Sequence, residues 1–159
     1  SAKAVWLDYC ECKMIDTIAR EPLWRHLINY RCGTGHSVSF VGNVHEGPHA
    51  LNSRNTTRMR PGMVVTDEPG VYETDLVGIR IENELVCVHK ADNQYGTFLG
   101  FEPLMFVPIA TSPILPGVLD KDEIAWLNDY HRQVFAKLAP HLNDEERSWL
   151  AEKCAAIGC

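Results

Sequence analysis

The stretch Met63-Val64-Val65-Thr66-Asp67-Glu68-Pro69-Gly70 sets the reading of this chain. A short β-branched run stops at a proline–glycine turn, the pattern of a strand with a sharp end. Strand period puts Thr66 and Glu68 on one face and Asp67 on the other, and Pro69-Gly70 leaves Glu68 at the strand tip. Similar runs at 38–41, 79–82, 85–88 and 104–109 are predicted strands, with turns at Gly47-Pro48, Pro61-Gly62 and Asp92-Asn93. In 79–82 the alternation places Arg80 and Glu82 on one face, with Ile79 and Ile81 on the core side.

Helical texture lies on both sides of this region. Residues 3–20 have helical composition, Pro22 is expected to break the run, and residues 23–28 read as a short second helix. Past Pro113 and Pro116-Gly117, Asp120 and Glu123 have capping-box spacing. Ile124, Leu127, Tyr130, Val134 and Leu138 then form an apolar stripe that Pro140 stops. Asn143 and Glu146 open the last helix, whose expected buried face is Trp149, Leu150, Cys154 and Ile157. Helices, antiparallel strands and helices in that order predict the α+β class, as one domain over residues 1–159.

With 159 residues and 45% hydrophobic content, the chain has enough apolar material for a sizeable core. A net charge of −6 with scattered basic residues argues against nucleic acid and anionic membranes as partners. No run reaches transmembrane length, and Ser1-Ala2-Lys3-Ala4 leads into no secretory core, so a cytoplasmic location is expected. The six cysteines are then reduced thiols. Cys10 and Cys12, like Cys154 and Cys159, lack zinc-type spacing and read as small apolar residues near the chain ends.

Three blocks carry the chemistry. His36 follows Gly33-Thr34-Gly35, a flexible entry that lets backbone approach a ligand closely, and His45 sits in Asn43-Val44-His45-Glu46-Gly47-Pro48. Glu68 ends the strand above, and Glu82 lies in Gly78-Ile79-Arg80-Ile81-Glu82-Asn83. One imidazole and two carboxylates from three elements make a mixed N/O ligand set for a hydrolytic divalent metal. Taken singly, each has a plainer reading: a turn histidine, or a surface Arg80–Glu82 pair. His26, His49, His89, His131 and His141 have no comparable setting and read as surface or partly buried residues.

The order and flanks of these blocks resemble the C-terminal half of the catalytic domain of the pita-bread metallopeptidases, family M24, in particular its aminopeptidase P (Xaa-Pro aminopeptidase) branch. The similarity extends to Ile18-Ala19-Arg20-Glu21-Pro22-Leu23-Trp24, Phe101-Glu102-Pro103-Leu104, Phe106-Val107-Pro108-Ile109 and Glu123-Ile124-Ala125-Trp126-Leu127-Asn128. The resemblance implies His36 as ligand of one metal and Glu68 as a ligand that also meets the reacting water. It implies Glu82 as a bridging carboxylate, His45 on the substrate carbonyl, and Arg80 supporting Glu82. It further implies two divalent cations, Mn²⁺ first with Zn²⁺ or Co²⁺ as alternatives, and a peptide substrate with penultimate proline.

The chain also departs from that family. Two aspartate ligands that the family carries upstream have no counterpart, since Asp8 and Asp16 sit in the helical run. A missing N-terminal half, or a homodimer partner, is therefore expected to cover an exposed site face. The isolated chain is expected to hold metal weakly and to be inactive. Ser37 and Ser39 stand where the family commonly has glycine, and Cys32 where many relatives carry histidine. The alternative is a non-catalytic pita-bread module that binds peptide or protein. A sister prolidase or creatinase fits the 43–48 block and the C-terminal tail less well.

Overall fold

The computed structural model describes residues 2–158, so Cys159 lies outside the described residues. It divides into two compact units, Ser1–Met105 and Phe106–Cys159. The first contains β1 (Val5–Leu7), α1 (Cys12–Trp24), β2 (Gly35–His36), β3 (Ala50–Leu51), β4 (Val64–Asp67), β5 (Gly70–Glu73), β6 (Val77–Arg80), β7 (Asn83–Asn93) and β8 (Gly96–Pro103). A four-stranded antiparallel sheet has the order β1-β8-β7-β4, and β2–β3 and β5–β6 form two-stranded ribbons.

The core of this unit sits between the sheet and α1, where Trp6, Cys12, Ile15, Val65, Leu85 and Phe101 are buried. Cys12 and Cys87 are free thiols inside it, and burial pushes the Cys87 pKa up to about 11. A thiol held protonated in apolar surroundings is inert. Cys10 packs against the same cluster, in keeping with its reading as a small apolar residue.

Several local expectations are corrected. Residues 5–7 are a strand rather than helix, because Trp6 pairs with Leu99 and packs on Phe101 at 4.6 Å between ring centroids. Pro22 lies inside α1 and does not end it. Near the C-terminus of a helix its missing N–H removes only one intrahelical bond. The chain leaves α1 through Arg25, with Leu27 at φ 58, and no second helix forms over 23–28.

The run 38–41 forms no strand, and neither does 104–109. On the side of β7 away from β4 the partner is β8, and the reversal falls at Gln94-Tyr95, two residues beyond the expected turn, where Asn93 pairs with Gly96. Gly96 has φ 129 there, a conformation that glycine tolerates best. Ile79 and Ile81 are 58% and 55% exposed, so the expected core side of that run faces outward. No layer among the described residues buries it.

In the second unit, α2 (Lys121–Leu138), a 3₁₀ turn (Ala139–His141) and α3 (Asp144–Lys153) follow the predicted punctuation. Both capping boxes form, Asp120 with Glu123 and Asn143 with Glu146. Each cap contributes about 1 kcal/mol by satisfying otherwise orphaned N–H groups. Tyr130, Val134 and Leu150 form the core, with Phe106, Ile109 and Phe135 packed against it.

Trp149 departs from its expected burial and is 55% exposed, while Ile157 lies beyond the end of α3. His131 was expected to be at the surface or partly buried but is fully buried, with Nε2 accepting from the Ile109 amide at 3.1 Å. His49 is buried too, its Nε2 donating to the Val64 carbonyl at 2.7 Å. Antiparallel sheets with three helices make this the α+β class expected from the sequence.

Candidate active site

Gly35 decides how the first histidine reaches its position. A Cβ on Gly35 would lie 1.7 Å from the Thr66 carbonyl oxygen, so only glycine lets β2 press against β4. A bridge between Ser37 and Val65 continues the contact. His36 is thereby laid over Thr66, whose hydroxyl accepts from the His36 amide at 2.9 Å.

The same hydroxyl donates to Glu68 Oε1 at 2.8 Å, as expected for residues on one strand face. The Glu68 amide donates to the Thr34 carbonyl at 2.7 Å, which fixes the strand tip from the other side. Together these bonds set His36 Nε2 3.1 Å from Glu68 Oε1, with the two side chains 19% and 20% exposed.

His36 Nδ1 lies 3.0 Å from the Ser37 carbonyl oxygen, which only accepts, so Nδ1 carries a proton. In the neutral ring, Nε2 then presents its lone pair to a carboxylate. Two acceptors at that separation call for a proton or a cation between them, and a backbone-anchored Nδ1–H is the usual support of a metal-binding imidazole. The His36–Glu68 pair therefore fits one part of a divalent-metal site. His45 is exposed, and its ring centroid lies 3.9 Å from that of His36 at a tilt of 43°.

Arg80 and Glu82 form a second cluster. Arg80 Nε lies 3.5 Å from Glu82 Oε2, with side chains 51% and 40% exposed, and Arg80 Nη1 donates to the Tyr72 hydroxyl at 3.3 Å. The Tyr72 hydrogen bond, then the charges of Tyr72 and Glu82, hold the Arg80 pKa above its ordinary value, and Glu68 adds a smaller share. Among the described residues no group of three or more His, Cys, Asp or Glu is gathered in a metal-holding arrangement. His36 meets Glu68 and, separately, stacks near His45; Glu82 stays with Arg80.

Sequence reasoning missed Tyr72 and Thr34. Tyr72 had a usable signal, because it faces Gly78 across the β5–β6 ribbon and so reaches the Arg80 side chain. An open cleft of about 740 Å³ lies beside the loop that leads to His36, lined by Arg20, Trp24, Tyr30, Cys32, Asn52 and Arg54 among others. Cys32, where a histidine was expected by resemblance, opens onto it.

Comparison with known proteins gives this geometry its context. The chain is 41% identical over 152 residues to the probable Xaa-Pro aminopeptidase P of Coprinopsis cinerea, covering 91% of this chain and 24% of that protein. It is 44% identical over 144 residues to aminopeptidase P2 of Arabidopsis thaliana, covering 86% and 20%. The chain thus spans about a quarter or less of the length of these relatives.

The crystal structure of X-prolyl aminopeptidase from Caenorhabditis elegans, described as a cytosolic enzyme with a di-nuclear active site, superposes with a TM-score of 0.89. That match has 38% identity and covers 98% of this chain and 26% of the other. The pita-bread architecture follows from it, with this chain as one portion. No helix among the described residues is long and apolar enough to cross a membrane. Residues 97–157 match the C-terminal region of peptidase M24, and residues 3–89, which carry His36, Glu68 and Glu82, match the metallopeptidase family itself. By sequence and by fold alike, the chain belongs to metallopeptidase family M24.

Proposed function

We propose that this chain supplies part of the catalytic site of a metal-dependent Xaa-Pro aminopeptidase, which hydrolyses the N-terminal residue from peptides with proline in second place. The observation that carries this reading is the placement of His36 Nε2 opposite Glu68 Oε1, with Nδ1 anchored on a backbone carbonyl. The chain's similarity to the probable Xaa-Pro aminopeptidase P of Coprinopsis cinerea and aminopeptidase P2 of Arabidopsis thaliana supports it.

In this reading His36, Glu68 and Glu82 hold two divalent cations, Mn²⁺ being the proposed metal. Carboxylate-rich sets suit that hard cation. Bound cations supply Lewis acidity, polarising a carbonyl and lowering the pKa of water. Glu68 takes the proton released from the attacking water and passes it toward the leaving amine. His45 donates to the oxyanion that develops on the scissile carbonyl. Arg80, itself held by Tyr72, balances the charge of Glu82. The remaining ligands are two aspartates from another segment of the fold, and a cytoplasmic setting suits the free thiols.

The test is reconstitution. The chain is combined with a polypeptide that supplies the two-aspartate half of the fold and with Mn²⁺, and hydrolysis of an Xaa-Pro peptide is followed. Activity should appear only in the mixture. Glu82→Gln should abolish it, and His45→Ala should lower the rate by about 10²- to 10³-fold with metal content unchanged. A folded, metal-loaded complex that cleaves nothing would replace this proposal with the peptide-binding module.

A further inference from the structure

Behind the His36 arm lies a buried polar cluster that the roles above do not use. Asp16 is 1% exposed and Arg20 is 7% exposed, one turn apart on α1. Arg20 Nε donates to Asp16 Oδ2 at 2.8 Å. Its Nη1 donates to the Tyr30 carbonyl at 2.7 Å, its Nη2 to the Cys32 carbonyl at 2.7 Å, and its plane lies 4.0 Å over the Tyr30 ring.

The second Asp16 oxygen accepts from the Thr34 hydroxyl. That hydroxyl has one proton, so the Tyr30 hydroxyl in contact with it is the donor of their bond. Burial opposes the Arg20 charge, yet the Asp16 hydrogen bond and carboxylate outweigh it and raise the Arg20 pKa.

A buried ion pair is a poor device for stability alone, because desolvation offsets most of its attraction. Its usefulness is directional. The planar guanidinium grips two carbonyls two residues apart and so imposes one path on residues 30–32. Thr34, clamped through its side chain, is also the residue whose carbonyl receives the Glu68 amide and whose amide donates to Leu51 at 2.7 Å. One residue thus ties α1, β3 and the tip of β4 together, two positions before His36.

We propose that Asp16 and Arg20 are positioning residues: acting through Thr34, they set the His36 arm and the Glu68 strand tip in mutual register for metal capture. This rests on the aminopeptidase reading only for its purpose, since the register itself is measurable without catalysis.

Three variants of this chain test it: Arg20→Lys, which keeps the charge and loses the fork; Thr34→Val, which removes the hydroxyl; and Thr34→Ser, which restores it. Amide hydrogen exchange at Glu68 is compared with that at Cys87, whose amide donates to the Met63 carbonyl within the core. Arg20→Lys and Thr34→Val should speed Glu68 exchange by about tenfold relative to Cys87. Thr34→Ser should behave as the unaltered chain. Paramagnetic broadening of the His36 ring by added Mn²⁺ should weaken in the first two variants and survive in the third.

If Glu68 and Cys87 exchange accelerate together, or if neither Glu68 exchange nor the broadening changes in a folded variant, the proposal is overturned. Should Arg20→Lys fail to fold, Thr34→Val and Thr34→Ser decide alone. Failure of the aminopeptidase reading would appear in the reconstitution assay and would leave these exchange rates as expected.

Discussion

The four-stranded sheet and the β5–β6 ribbon lie in the same unit and draw on the same apolar residue types, yet their fates differ. Val65, Leu85 and Cys87 in the sheet are wholly buried, whereas Leu76, Val77 and Ile79 in the ribbon are 80%, 46% and 58% exposed. The sheet has α1 and its neighbours packed on it, and the ribbon has no second layer among the described residues. That difference runs through the candidate site. Glu68 ends a packed strand and is held by Thr66 and Thr34, while Arg80 ends the uncovered ribbon, Glu82 follows in the link to β7, and the two are held by each other and, through Arg80, by Tyr72. One part of the site is preorganised by the core; the other takes its position from a hairpin.

The largest effect that follows is on stability. Leu85→Ala should cost about 2–5 kcal/mol, because it empties a fully buried site in the sheet. Ile79→Ala should stay within about 0.5 kcal/mol, as an exposed substitution does. Urea unfolding followed by circular dichroism gives both numbers. Equal losses would mean that the ribbon is covered in solution and that the contrast does not hold.

Thr66→Val probes the preorganised part directly. It takes away the acceptor of the His36 amide and the donor to Glu68, at a cost of about 1–3 kcal/mol for the buried group left unpaired. In the assembly reconstituted with the two-aspartate half, Mn²⁺ affinity measured by calorimetry should fall by about 10- to 100-fold, the usual effect of losing a residue that orients metal ligands. Unchanged affinity would show that packing alone orients the pair.

Burial also singles out one histidine for pH dependence. Burial pushes the His131 imidazole below its ordinary pKa, so the folded second unit binds its proton less readily than the unfolded chain does. Its stability is then complete above about pH 6.5 and falls as pH drops from there to the lower folded pKa. Thermal melting between pH 7 and pH 4 should show this decline, and His131→Gln should flatten the part of it nearest pH 6.

The smallest expected effect belongs to the ribbon. Tyr72→Phe deletes an exposed hydrogen bond to Arg80 and should shift stability by less than about 0.5 kcal/mol. A larger shift in the melting midpoint would place the Tyr72–Arg80 pair among the groups that hold the ribbon together.

Much of this was legible in the chain wherever neighbours in sequence settle the outcome. Both capping boxes formed at Asp120 and Asn143, since a cap is decided within four residues. Thr66 and Glu68 share a face because strand alternation is a backbone property. The order and flanks of the blocks around His36, Glu68 and Glu82 resemble metallopeptidase family M24, and the family match bears that membership out. Where distant residues decide, local reading failed. Residues 5–7 look helical until Gly100, Leu99 and Phe98 pair with them, and Ile79 and Ile81 look like core until no layer meets them.

Asp16 shows the boundary most plainly. In the sequence it is one acidic residue in a helical run, distinguishable only as unsuited to replace a metal-binding aspartate. Folding buries it, and a buried carboxylate must find partners or lose its charge. It finds Arg20 and Thr34, and through Thr34 it reaches the end of β4. Residue type and the order of the blocks, which are local, made His36, Glu68 and Glu82 candidate ligands. The meeting of His36 with Glu68 depends on Gly35 lying against Thr66, and Glu82 pairs with Arg80 in the link after β6, because hydrogen bonds and steric exclusion act between surfaces that only folding brings together.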